Sequence, residues 1–148
     1  MTAAHGWREH GDFTALMTDV AHVNAMREDA FLFLAERGGV AIAAGALMLA
    51  DGLALLAGAS TVPEHRKQGA QRALLEGRLQ FVAGPGCDLA MMCSEPRSGS
   101  QRNAERHGFR IAYTQIKWQR QKGRMSQGVQ SDCAGMVLRG ARRKVLEA

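Results

Sequence analysis

Ser60-Thr61-Val62-Pro63-Glu64-His65-Arg66-Lys67-Gln68-Gly69-Ala70-Gln71-Arg72-Ala73-Leu74-Leu75 is the stretch on which the reading of this chain turns. The apolar run Leu53 to Ala59 before it reads as a buried strand, and Ala70 to about Ala83 after it reads as a helix. A strand, a short loop with a glycine and a helix start are the parts of an anion site. The first N–H groups of a helix have no internal partner and point at whatever lies before them. The aligned peptide dipoles put partial positive charge at that end. Arg66 and Lys67 add full charges. Gly69 lets the backbone come close to an oxygen, and successive N–H groups from Arg66 to Gln71 form a concavity for phosphate. An ordinary strand-to-helix loop carrying surface charges is the plainer alternative. Neither Gly-x-x-x-x-Gly-Lys-Ser/Thr nor a Gly-x-Gly-x-x-Gly fingerprint occurs, which disfavours the two common nucleotide folds.

Outward from this segment the elements follow in order. Phe13 to about Arg27 is a helix, with Asp12 as its cap and Phe13, Leu16, Met17, Val20 and Val23 at helical spacing. Ala30 to Arg37, Val40 to Leu49 and Leu53 to Thr61 are strands separated by Gly38-Gly39 and Asp51-Gly52. Both dipeptides suit tight hairpin turns, so the three strands form an antiparallel meander. The helix from Ala70 places Ala73, Leu74, Leu79 and Val82 near one face, with Arg72, Glu76 and Arg78 outside it, and Gly84-Pro85-Gly86 stops it. Asp88 to Cys93 is a nearly unbroken apolar strand of the kind buried on both faces. Ser100 caps a helix to His107, Gly108 ends it, and Phe109 to Trp118 is the last clear strand. The order predicts an α/β mixed-sheet sandwich in which that last strand is central or near the edge.

A domain over residues 1–118 and a basic tail over 119–148 are expected. From residue 117 onward there are eight basic side chains against two acidic, while the preceding residues hold eleven basic and twelve acidic. The net +5 of the 148-residue chain therefore belongs to the tail, and a nucleic-acid role for the domain is disfavoured. Gln121 to Asp132 reads as flexible, and Ala134, Val137, Leu138, Ala141 and Val145 as one stripe of a short helix. No apolar run is long enough to span a membrane, and no signal-peptide core is present. Three cysteines without paired spacing fit a reducing cytoplasm, and no metal-ligand spacing occurs.

The quoted stretch resembles the acyl-coenzyme A binding segment of the GNAT N-acetyltransferase superfamily. Val62, Pro63, Arg66, Gly69, Leu74 and Leu75 fall in its register, while Gln71 stands where Gly or Ala is usual. Ser100 to Phe109 is similar to the family's last helix and its Gly-Phe turn, and the resemblance spans roughly residues 31 to 118. It implies the acyl-CoA N-acyltransferase-like fold, shortened at the N-terminal part. It also implies acetyl-CoA as co-substrate, with Ser60 and Val62 on the pantetheine arm. Arg66, Lys67, Gln68, Gly69, Ala70 and Gln71 would hold the pyrophosphate, and Asn103 would lie on the pantetheine or adenosine side. The reaction implied is direct attack of a primary amine, on a small molecule or peptide, on the thioester, without metal. Amine attack needs a proton acceptor, for which Glu95, Glu64 and His65 are candidates and Glu95 is preferred. Many relatives protonate the leaving thiolate from a Tyr at the position of Ala104, so here Tyr113 or water must serve. A nucleophilic Cys93 is disfavoured, since no histidine lies near it in sequence. Relatives carry a strand and two helices before the meander where this chain has one clear helix. Either the acceptor side is minimal, a second copy completes it, or an N-terminal part is absent. A degenerate acyl-CoA-binding regulatory or assembly module is the alternative.

Overall fold

A computed structural model describes residues 13–84, 86–117 and 131–139. Their elements are α1 (Phe13–Ala25), β1 (Ala30–Arg37), β2 (Val40–Ala50), β3 (Leu53–Thr61), a 3-10 turn (Pro63–His65), α2 (Ala70–Val82), β4 (Leu89–Ser94), α3 (Gly99–Arg106), β5 (Arg110–Lys117) and β6 (Ser131–Arg139). The strands belong to one six-stranded mixed sheet in the order β1-β2-β3-β4-β6-β5. The described residues fall into two compact units, one within residues 13–90 together with residue 139, the other within residues 91–138.

In the first unit the antiparallel meander is present as expected. β1 pairs antiparallel with β2, and β2 with β3. Gly38 and Gly39 have φ of 58° and 77°, and Asp51 and Gly52 have φ of 49° and 75°. Two consecutive positive φ values make the turn whose twist matches paired strands, hence the Gly-Gly and Asp-Gly choice. Phe31, Phe33 and Ala35 share one face of β1, and α2 lies across it. The Phe81 ring meets Phe31 at a tilt of 48° with centroids 4.7 Å apart, and Phe33 edge-on at 5.6 Å. Ile42, Ala43, Ala70 and Leu74 form a buried cluster with Phe33 and Ala35 packed against it.

Two expectations about the helices need correction. α2 buries Ala70, Leu74, Leu75, Arg78 and Val82. Arg78 is thus inside and not on the solvent face, and Ala73 is exposed. On α1 the stripe of Leu16, Val20 and Val23 is exposed, while Thr14, Met17, Ala21 and Asn24 are half-buried. Helical spacing says which residues share a face but not which face meets the sheet. The cap assigned to Asp12 lies outside the described residues.

In the second unit β4 alternates. Met92 and Ser94 are buried and Cys93 is exposed, so this half of the strand is covered on one face, not both. α3 starts at Gly99 with Ser98 as its cap, Ser98 Oγ accepting from Gln101 N at 3.1 Å. The Ser100 cap is therefore displaced by two residues. Gly108 (φ 86°) ends the helix as expected, with Gly108 N donating to Glu105 O and Phe109 N to Ala104 O.

The largest departure is β6. Ser131–Arg139 pairs antiparallel with β5, from Arg110↔Val137 to Lys117↔Ser131. The stripe read as a helix from Ala134 is a strand over these residues, and β5 is an edge strand with β6 inside it. Met136 is fully buried and meets Ser94 Oγ at 3.4 Å. Gly135 lies opposite Tyr113, and a Cβ there would come within 2.5 Å of the Tyr113 ring. The ring covers the glycine backbone, a cross-strand contact that steadies a glycine in a strand. The rest of the segment read as flexible, and residues 140–148, lie outside the described residues. Among the described residues no helix is long and apolar enough to cross a membrane.

Candidate functional site

The segment between β3 and α2 is built from backbone conformations that the sequence imposes. Val62 N donates to Ile42 O at 2.9 Å, which continues the β2–β3 ladder one residue past the strand. Pro63 then fixes φ and opens a single 3-10 turn, in which His65 N donates to Val62 O and Arg66 N to Pro63 O. Arg66 is extended, Lys67 is left-handed with φ 60°, and Gly69 is left-handed with φ 85°. These reversals turn the chain into α2 with no side-chain cap on the helix. The first helical bond is Ala73 N to Gly69 O at 3.0 Å. The N–H groups of Ala70, Gln71 and Arg72 precede it and have no partner within the helix.

Among the described residues, apart from its chain neighbours, Gly69 has no atom within 4 Å of where a Cβ would stand. Its positive φ, and not a close protein contact, requires glycine there, and the space before it is open. Arg66, Lys67 and Gln68 are exposed around this concavity, while Ala70 is buried against the sheet. The arrangement is a cationic nest at a helix N-terminus, suited to a multiply charged oxyanion such as a pyrophosphate.

Three side chains tie the loop down, and sequence reading missed one of them, Arg37. Arg37, at the end of β1, donates from Nη2 to Gln68 O at 3.1 Å and from Nη1 to Gln68 Oε1. Gln68 Nε2 donates back to Glu64 O at 3.3 Å. Gln71 Nε2 donates to Thr61 Oγ1 at 2.8 Å, and Thr61 is buried. Gln71, which breaks the resemblance's small-residue pattern, thus has a defined structural use. Its side chain joins the helix start to the strand end and leaves its N–H at the loop. Nothing in the sequence spacing points to Arg37, because the hairpin brings it across 31 residues.

Ser60 is buried and Val62 half-buried on the strand leading into the loop. The expected site residues from Ser60 to Gln71 are therefore contiguous around one feature of the first unit. Those of the second unit sit on three of its elements. Glu95 is exposed just after β4, in a turn closed by Ser98 N donating to Glu95 O. Asn103 is half-buried on α3, its carbonyl accepting from His107 Nδ1 at 2.8 Å. Tyr113 is on β5, its ring on Gly135 and 47% exposed. Ala104, at the position where the resemblance expects a tyrosine, is fully buried. A phenol there would overpack the unit. Among the described residues no group of three His, Cys, Asp or Glu side chains is placed to hold a metal ion.

No family model matches the chain, and no curated protein matches it. Solved structures do. The ribosomal-protein-S18-alanine N-acetyltransferase of Escherichia coli superposes with a TM-score of 0.68 at 19% identity, over 88% of this chain and 81% of that one. A Bacillus subtilis acetyltransferase in complex with CoA gives 0.64 at 16% identity, over 80% and 82%. A GNAT family acetyltransferase of Elizabethkingia anophelis with acetyl-CoA bound gives 0.65 at 14% identity, over 82% of each chain. The fold of this chain is that of the GNAT acetyltransferases.

Proposed function

We propose that this chain is an acyl-CoA-dependent N-acetyltransferase that moves an acetyl group from acetyl-CoA to a primary amine. The observation that carries the reading is the uncapped loop from Arg66 to Gln71, left-handed at Lys67 and Gly69, on a fold shared with acetyltransferases. Backbone N–H groups of the loop, with Arg66 and Lys67, take the pyrophosphate. The strand end at Ser60 to Val62 takes the pantetheine arm, and Asn103 contributes from α3. The acceptor is a primary amine on a small molecule or a peptide.

Transfer is direct. The neutral amine attacks the thioester carbonyl carbon, the C–N bond forms, the C–S bond breaks, and the electron pair leaves on the CoA sulfur. Orientation of the two reactants supplies much of the acceleration. Glu95 is our assignment for the group that takes the amine proton, directly or through water. Tyr113 or water returns a proton to the thiolate. A thiol of pKa about 8.5 is already a competent leaving group, so that proton matters less.

Differential scanning fluorimetry tests the reading. Saturating acetyl-CoA should raise the melting midpoint, since a ligand at about 100 times its Kd adds about 2.7 kcal/mol. Acetyl-CoA should then be consumed in the presence of one member of an amine panel. No shift would sink the proposal, and a shift without turnover on any amine would leave a binding module. Once an acceptor is found, Glu95→Gln should lower kcat by about 10²-fold or more at unchanged acetyl-CoA affinity. Tyr113→Phe should cost about tenfold or less, because the leaving group needs little help. Full activity in Glu95→Gln would remove Glu95 from the mechanism.

A further inference from the structure

Arg78 is 2% exposed, one of only four buried polar or charged residues among those described. It lies on α2, and its guanidinium reaches into the β2–β3 pair. Nε donates to Leu74 O at 3.0 Å in its own helix, and Nη1 to Ala46 O at 3.2 Å, with Ala57 O at 3.4 Å. No carboxylate is among these partners. Burial pushes its pKa down to about 10, still far above neutrality, so the group remains a cation held by main-chain carbonyls. Such a residue is expensive unless its position has a use.

Its position coincides with an irregularity in the sheet. Ala46 pairs with Ala57, but the next pair is Ala44 with Ser60, so β3 carries one extra residue at Gly58-Ala59. Gly58 has φ 59°, the left-handed conformation of a bulge. The carbonyls that accept from Nη1 belong to the last pair before it. Across from it, a Cβ on Gly45 would stand 3.3 Å from the Arg78 guanidinium carbon, so the absence of a side chain at Gly45 admits the arginine.

The bulge has a consequence for the loop. An extra residue exchanges the faces of everything beyond it. Ser60 faces with Ala44 and Ala46, and Thr61 pairs with Ala43 on the α2 side, where Gln71 holds its hydroxyl. Without the extra residue Thr61 would turn away from α2 and Ser60 would take its place. We propose that Arg78 is a positioning residue for the co-substrate strand: it locks the Gly58-Ala59 bulge and thereby sets the register of Ser60, Thr61 and Val62 at the loop. This rests on the acetyl-CoA reading above for its functional meaning. The register itself is a property of the fold.

The test compares Arg78→Met with Val82→Ala, a core truncation at the far end of α2, in folded protein well below both melting midpoints. Acetyl-CoA Kd should rise at least about tenfold in Arg78→Met and stay unchanged in Val82→Ala. Exchange protection of the Val62 amide, which donates to Ile42 O, should fall with it in Arg78→Met alone. Arg78→Lys should recover part of both, since one ammonium cannot reach the helix and sheet acceptors together. Should Arg78→Met not fold, the same two measurements on Arg78→Lys decide. Equal effects in both variants, or none in Arg78→Met, would overturn the proposal. If wild type does not bind acetyl-CoA, the loop reading fails and Arg78 is judged on amide protection. Loss confined to Arg78→Met upholds the register lock, and unchanged protection refutes it.

Discussion

Gly69→Val is expected to abolish acetyl-CoA binding while the domain stays folded. Gly69 holds φ 85° and ψ −3°, and nothing lies within 4 Å of a Cβ there. Among the described residues the substitution therefore clashes with no atom beyond its chain neighbours, and its penalty comes from the backbone. A left-handed L-residue costs roughly 1–2 kcal/mol, and a β-branched one more. Relaxation moves Gly69 out of that region, which rotates the N–H groups of Ala70 and Gln71 away from the concavity. Several charge-assisted hydrogen bonds to the pyrophosphate would be lost together, each worth roughly 1.5–3 kcal/mol, so Kd should rise by about 10²-fold or more. The melting midpoint should fall by only a few degrees, about 2–4 °C per kcal/mol for a chain of this size. Calorimetric affinity equal to wild type would show that this loop is not the anion site.

Leu47→Ala should be the most destabilising single truncation in the meander. Leu47 is fully buried at the centre of β2, opposite Phe31 on one side and Leu56 on the other. Such a truncation costs about 2–5 kcal/mol against a total stability of roughly 5–15. The midpoint should drop by roughly 5–20 °C. Leu32→Ala, on the opposite face of β1 at 56% exposure, serves as the contrast and should cost less than about 1 kcal/mol. Similar midpoints for the two variants in chemical denaturation would contradict the placement of the core on the α2 side.

Where punctuation residues are strong, the sequence reading and the structure agree to within one or two residues. Gly38-Gly39 and Asp51-Gly52 fix turns whose φ values few other residues accept, and so the meander follows. Pro63 and Gly69 fix the shape of the loop in the same local way. Errors arise where local signals are degenerate. Ala134, Val137 and Leu138 fit a helical stripe, yet the same residues lie in a strand once β5 offers a ladder. Gly135 reads as a defect in a helix and is a fitted contact under Tyr113 in the sheet. Two serines two residues apart both satisfy a capping pattern, and only the turn at Arg97, with φ 63°, selects Ser98.

By itself, then, the sequence determined the order of elements up to β5, the two hairpins and the glycine loop between β3 and α2. These depend on φ preferences and on periodicity within a few residues. Only the tertiary structure decided which faces are buried, where β6 enters the sheet, that Arg37 and Gln71 brace the loop, and that Arg78 is inside. Each of these depends on a partner distant in sequence. For Arg78 the partners are Ala46, 32 residues away, and Ala57, 21 away. A charged side chain among helix-forming neighbours reads as solvent-facing until the carbonyls that hold it are brought beside it by the sheet.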